Sequence, residues 1–401
     1  MHRVRIPVDW STTRLSKIAD IQTGLAKGKK ITSRGVSLPY LRVANVQDGH
    51  LDLDEIKTIV VDEKDAERYR LKIGDVLFTE GGDFDKLGRG TVWRGEVQNC
   101  LHQNHVFAVR PNPDLLVPDY LAYLAAAPHG KRYFQSASKQ STNLASINSS
   151  QLNNFPVILP PLAEQKKLIA ILRTWDEATE NLLRLSELRE KQYLGLRDYL
   201  IDWSKNQRPV KDFLKPVSRP IPKPTSGYRA LSIRSHGKGT FDRFVENPES
   251  VEMDTLYVAK AGDIIVNITF AWEGAVALVP RDHDGCLVSH RFPMFVPEIE
   301  RVDARYLRHV LRMARFTHLL GIVSPGGAGR NRVLSKSDFL DLMVPLPPLD
   351  LQRRVAMILD DAEKTIAAEE KYLSALSRQK RGLMQKLLTG DWRVKADGGA
   401  L

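Results

Sequence analysis

The sequence predicts an α+β protein in which two mixed α/β blocks are separated by two long helices that pair as an antiparallel coiled coil. Three observations carry this. Leu159-Pro160-Pro161-Leu162-Ala163-Glu164-Gln165 recurs as Leu346-Pro347-Pro348-Leu349-Asp350-Leu351-Gln352, a register of 187 residues. Each copy opens a proline-free, charged, leucine-rich stretch with one interior glycine, Gly195 or Gly382, the second closing on Gly390. The intervening segments instead show short apolar alternations punctuated by glycine and aspartate. The chain therefore reads as a first block (1–158), a first helical spacer (159–205), a second block (206–345), a second helical spacer (346–394) and a short tail (395–401).

In the first block, alternation predicts strands near 40–43, 59–61, 75–78 and 105–109, and a helix over 118–130 with Tyr120, Leu121, Tyr123 and Leu124 on its apolar face. The first long helix follows, since paired prolines suit a helix entry and not its interior. Leu168, Ile171, Trp175, Ala178, Leu182, Leu185, Leu196 and Tyr199 form its seam, with Arg189 and Gln192 as polar breaks. Five prolines between Arg208 and Pro224 then predict an extended connector or edge segment. The second block echoes the first: Gly262-Asp263-Ile264 answers Gly74-Asp75-Val76, Cys286-Leu287 answers Cys100-Leu101, and Tyr306-Leu307 answers Tyr120-Leu121. The second long helix has Leu359, Ala362, Ile366, Leu373, Leu376, Leu383 and Leu387 on its seam, interrupted by Glu369 and Lys380. Such breaks fix register and partner number. About 40 residues at about 1.5 Å each give rods of about 60 Å, longer than a compact core needs. Two ordinary amphipathic core helices are the plainer alternative.

The formal net charge is +11 over 401 residues. Residues 161–205 balance eight basic against eight acidic side chains, and residues 349–394 carry nine against seven. The excess therefore lies on the blocks, where it suits a polyanion, chiefly nucleic acid. Two cysteines, Cys100 and Cys286, make no disulfide framework, and no apolar run approaches the ~20 residues of a membrane span. A cytoplasmic location with no membrane partner is the expectation.

Motif by motif, transfer chemistry is hard to find. Gly24-Leu25-Ala26-Lys27-Gly28-Lys29-Lys30 has three residues between its glycines and lacks the Ser/Thr of a phosphate loop. Lys27, Lys29 and Lys30 are read as phosphate contacts, with a solvated loop the equal alternative. Cys100, His102 and His105, with Cys286 and His290 in the echo, fall short of a four-ligand zinc set; small residues packing at a strand start is the preferred reading. The loop from Thr79 to Gly90 contains four glycines together with Glu80, Lys86 and Arg89, which suits close approach to bases or phosphates. Arg330, Asn331 and Arg332 follow a glycine cluster, and arginine forks onto guanine as asparagine does onto adenine. Ordinary structural turns are the alternative at both places. Arg42, Asn45, Asn104, Arg234, Lys238 and Asn267 complete the candidate DNA-contacting set.

The doubled Leu-Pro-Pro-Leu-x-x-Gln opening, the start Asp9-Trp10 with Leu15-Ser16-Lys17-Ile18-Ala19-Asp20-Ile21, the Gly-Asp-Val and Gly-Asp-Ile motifs, and the closing Lys386-Leu387-Leu388-Thr389-Gly390 together resemble the specificity subunit of Type I restriction-modification systems. The resemblance covers nearly the whole chain. It implies two target-recognition domains, each reading one half of a split double-stranded DNA sequence, with the paired helices setting the gap. It also implies docking of two methyltransferase subunits, with Gln165, Trp175, Gln352 and Arg353 as candidate docking residues, and association with restriction/translocase subunits. S-adenosylmethionine, ATP and magnesium would be bound by those partners, and this chain would catalyse nothing. Two other classes stay open: a nuclease or methyltransferase with unfamiliar motifs, and a coiled-coil scaffold whose basic blocks contact RNA or lipid without sequence preference.

Overall fold

A computed structural model describes residues 6–26, 28, 35–82, 84, 87–140, 145–324 and 333–394. Lys27, Lys29, Lys30, Lys86, Arg330, Asn331 and Arg332 lie outside the described residues. The chain divides into two compact units, one formed by residues 1–183 with 372–401 and the other by residues 184–371.

In the first unit a four-stranded antiparallel sheet runs in the order Ala19–Thr23, Val106–Pro111, Val76–Thr79, Gly90–Val92. A three-stranded sheet places Gly35–Leu41 between Lys57–Asp62 and Leu101–His102. Phe78, Phe107, Phe134, Phe155 and Tyr120 fill the core between sheet and helices. The expected helix over 118–130 is two helices, Pro118–Ala126 and Pro128–Ala137. Ala127 is extended (φ −66°, ψ 160°), because the ring of Pro128 disfavours the helical region for the residue before it.

The second unit repeats this order. Its four-stranded sheet runs Leu214–Val217, Met294–Pro297, Ile264–Val266, Val276–Leu278. Its second sheet has five strands, with Tyr228–Ile233 and Thr240–Val245 at one side and Pro220–Pro222 at the other edge. The proline-rich segment after the first helix is thus edge strand, where a missing N–H is tolerated.

The motifs echoed in sequence are structural devices. Asp75 and Asp263 are buried, and each takes a bidentate guanidinium: Arg110 at 2.8 and 2.8 Å, and Arg219 at 2.6 and 3.0 Å. Each also accepts the backbone N–H three residues back, of Lys72 or Lys260. The glycine before each lies at φ +93° or +92°, a turn that an L side chain resists. Arg110 lies on the strand Val106–Pro111 and Arg219 in the connection between Leu214–Val217 and Pro220–Pro222, so the second motif takes the same counter-charge from a different place in the chain. Tyr120 and Tyr306 are buried and donate to the carbonyls of Ile158 and Pro345. Cys100 and Cys286 are buried just before short strands, and burial pushes the Cys100 thiol up to about 12.

The long helices are Leu162–Leu200 and Leu349–Leu388, and in each unit their segments run antiparallel. In the first unit Arg393, just past the second helix, pairs with Glu164 at 2.9 Å, while Lys380 pairs with Asp176. In the second, Arg189 pairs with Glu369 at 2.6 Å and Tyr193 donates to Glu363 at 2.7 Å. Three of the expected polar breaks, Arg189, Glu369 and Lys380, are therefore cross-helix ion pairs. The expected seam holds on the second helix. On the first it shifts by one residue after Trp175 and continues through Thr179, Leu182, Ser186, Arg189, Tyr193 and Leu196 to Leu200. The expected seam positions Ala178, Leu185, Gln192 and Tyr199 are exposed instead. Helical period decides this, since 3.6 residues per turn drift against a strict heptad.

Each unit also grips its helices through a polar cluster. In the second, His309 Nε2 meets Asp360 at 2.9 Å, Arg308 bridges Asp360 and Glu363, and Arg312 reaches Glu363. In the first, Tyr123 donates to Asp176 and Arg173 pairs with Asp119 at 2.9 Å. Arg173 and Asp360 occupy equivalent positions with opposite charge.

Gln165 and Gln352 are wholly buried at the helix entries. The Gln165 amide accepts from Val117 N–H and donates to the carbonyls of Leu115 and Pro160. Gln352 does the same with Asp303 N–H and the carbonyls of Arg301 and Pro347. The docking role expected of these two residues is corrected: no part of either side chain faces outward. Replacing Gln352 by alanine strands one donor and two acceptors, so Gln352→Ala should lower unfolding free energy by about 3 kcal/mol in urea titrations.

Candidate nucleic-acid interface

The central strand of each four-stranded sheet ends in a frame of backbone hydrogen bonds. In the first unit Thr79 N–H donates to Arg89, Glu80 N–H to His105, and Ile147 N–H to Glu80, at 3.1, 2.9 and 2.7 Å. In the second, Asn267 N–H donates to Ala275, Ile268 N–H to Arg291, and Leu334 N–H to Ile268, at 2.9, 3.1 and 3.0 Å. The two frames join equivalent segments. The expected contacts Lys86, Arg330, Asn331 and Arg332 lie outside the described residues.

The side chains mounted on the frames differ. The Glu80 carboxylate accepts from His105 Nδ1 through Oε2, and His105 Nε2 lies 3.3 Å from Asn104 Nδ2. The His105 and Glu80 side chains are 52% and 32% exposed. Thr79 is buried, so its hydroxyl is not displayed. Arg89 donates to Gln47 Oε1 at 2.6 Å. Opposite Glu80 in the repeat stands Ile268, and Asn267 beside it folds its Oδ1 back onto Thr269 N–H at 3.1 Å.

Arg42 and Asn45 are corrected from contacts to scaffolding. Asn45 is buried and donates to the carbonyls of Asp52 and Glu55, while Arg42 pairs with Glu55 at 3.1 Å. The Asn45 amide is thereby satisfied, and the Arg42 guanidinium is turned onto Glu55 through Nη2. Arg234 remains outward, its guanidinium 5.1 Å from the Phe241 ring. Lys238 is exposed at the tip of the Tyr228–Ile233 and Thr240–Val245 hairpin, between Gly237 and Gly239 at φ +64° and +80°. The tip borders a cleft of about 190 Å³ that Arg308 and Arg312 also line. Trp175 is half-buried and Arg353 exposed on their helices.

His105, Gln47 and Ile268 were not assigned to this interface from sequence. The 187-residue register was the available signal for Ile268, since it falls within one residue of Glu80's equivalent.

The one described group of acid and histidine side chains close enough for a metal is His309, Asp360 and Glu363. Arg308 and Arg312 already supply its positive charge. Burial and the neighbouring Arg308 hold His309 below its usual range. The donor set suits an internal ion-pair network better than a cation site.

Residues 7–189 match the family model described as Type I restriction modification DNA specificity domain. The chain is 26% identical to a Methanocaldococcus jannaschii protein assigned as type I restriction enzyme MjaX specificity subunit, over 97% of this chain and 95% of that one. A chain solved in work on complex assembly and conformational transition of the type I R-M system aligns with a TM-score of 0.60 at 16% identity, covering 97% of this chain and 100% of that one. The Type-I restriction-modification system S subunit from M. genitalium aligns at 0.54 and 14%, covering 96% and 97%. At these identities the structures speak to the fold.

Proposed function

Since the chain belongs to the specificity-subunit family of Type I restriction-modification systems, we propose that its two units each read one half of a split duplex target while the paired helices carry modification subunits. The protein is a DNA-recognition subunit with two target-recognition domains. The observation that best supports the two-part reading is the doubled frame, in which one backbone arrangement presents Glu80 in the first unit and Ile268 in the second. Two units with one architecture and different tips suit two different half-sites. Phosphate contacts position a reader and base-edge contacts specify the sequence. Lys238 and Arg234 suit the first task; Glu80, Asn104, Asn267 and the residues 330–332 suit the second. Lys27, Lys29, Lys30, Lys86 and Arg89 complete the phosphate-facing set.

The helices are the proposed spacer and dock. Their 39 and 40 residues correspond to about 60 Å each. Leu183, Leu188, Met357 and Tyr372 are more than two-fifths exposed on them, which makes them candidate docking positions. Trp175 and Arg353 stay in the proposed docking set. In this reading two methyltransferase subunits and the restriction/translocase subunits bring S-adenosylmethionine, ATP and magnesium, and this chain acts by recognition without catalysing a step. Among the described residues no helix is long and apolar enough to cross a membrane, in keeping with work on DNA in the cytoplasm.

Exchanging residues 210–344 for the matching block of a relative should change one half of the methylated motif and leave the other intact; a motif altered in both halves counts against independent readers. Lengthening both helices by a few residues should alter the gap alone, as read by sequencing methylated sites. Lys238→Ala should weaken binding to every duplex alike and lower the salt slope by about 1. Charge substitutions at Leu188 and Met357 should abolish co-purification with the modification subunit; unchanged assembly would rule that surface out.

A further inference from the structure

We infer that Glu80 reads a cytosine in the half-site recognised by the first unit, and that His105 positions it. The inference rests on the recognition role proposed above and names the base that this side chain selects.

A carboxylate is an unusual group to mount on a basic DNA-facing surface. It is repelled by phosphates, so it adds nothing to sequence-blind binding. Against base edges it discriminates sharply. Guanine shows two acceptors in the major groove, and thymine shows an acceptor and a methyl group. Adenine sets an acceptor beside its amino donor. Cytosine alone offers an amino donor with no acceptor beside it, so a carboxylate oxygen meets it without repulsion.

The geometry around Glu80 prepares that contact. Its backbone is held on both sides, by His105 O and by Ile147 N–H. One carboxylate oxygen, Oε2, is taken by His105 Nδ1. With that nitrogen protonated, Nε2 of the same ring accepts from Asn104 Nδ2 at 3.3 Å. The chain from Asn104 through His105 fixes the carboxylate's rotation. Oε1 has no hydrogen bond among the described residues and is free to accept one. A purely structural surface pair would contribute little and would have no reason to be held by this backbone frame. In the repeat the equivalent backbone, with the same two hydrogen bonds, carries Ile268, which packs partly buried against the core of the second unit; Glu80 is instead tied to His105 at the surface.

The test maps methylated adenines by single-molecule sequencing in cells that express the full chain with its modification subunit, for wild type, Glu80→Gln, Glu80→Ala and His105→Ala. Glu80→Gln keeps shape and loses charge. It should relax one cytosine position in the first unit's half-site and leave the other half unchanged. Competition binding should show a drop of about tenfold to a hundredfold in discrimination at that base pair. His105→Ala should weaken discrimination at the same position without changing the preferred base, while affinity for unrelated duplex stays constant. A wild-type motif reproduced unchanged by Glu80→Gln and Glu80→Ala overturns the inference, as does a change at a position that is not cytosine. A wild type with no two-part motif overturns the recognition reading itself, and this inference with it.

Discussion

The side-chain amide of a glutamine closes the entry of each long helix, and the coupling of helix to sheet depends on it. A helix of 39 or 40 residues begins with N–H groups that lack partners in the helix. Here the opening prolines remove some of those donors, and Gln165 and Gln352 turn back to bind carbonyls and one N–H of the adjoining loop. Because these amides are wholly buried, every one of their bonds is made in a low-dielectric surrounding where an unmade bond is costly. The helix direction is thereby tied to the sheet of its unit. The buried Asp–Arg pairs then tie the central strand to its neighbours, at Asp75 with Arg110 and at Asp263 with Arg219.

Much of this was legible because duplication writes itself in sequence. The 187-residue register located both helices, and the Gly-Asp echo located both central strands. The seam on the second helix was read correctly. The first helix was harder, since its seam beyond Leu182 uses Ser186, Arg189 and Tyr193, and a hydrophobic pattern cannot announce a polar seam. Tyr193 earns its place through Glu363 and His309, residues far away in the chain. The double role of glutamine was equally hidden. A conspicuous polar residue in a repeated motif looks like a docking group until its burial is known.

The candidate interface was legible in place and not in detail. Glu80 and Asn104 stood in the expected set, and the fold brings them together around His105, which the sequence offered only within a set too small for zinc. Arg42 and Asn45 show the opposite outcome. Both are chemically suited to DNA, yet the loop ending at Glu55 absorbs their hydrogen bonds. Residue type states what a group is able to do, and only geometry states whether its capacity is already spent.

The two polar clusters that grip the helices extend this argument. Arg173 pairs with Asp119, while Asp360, one repeat on from Arg173 and opposite in charge, pairs with Arg308 at a different place on its partner helix. The opposite charge comes from another position in each unit, so the sequences drift while an attraction persists in both. At the strand ends the same freedom has another result. The frames at Glu80 and Ile268 are built from backbone bonds, which place no demand on side-chain identity. A side chain there can be exchanged without touching the frame's own hydrogen bonds, so the same backbone carries a carboxylate tied to His105 in one unit and an alkyl group packed against the core in the other.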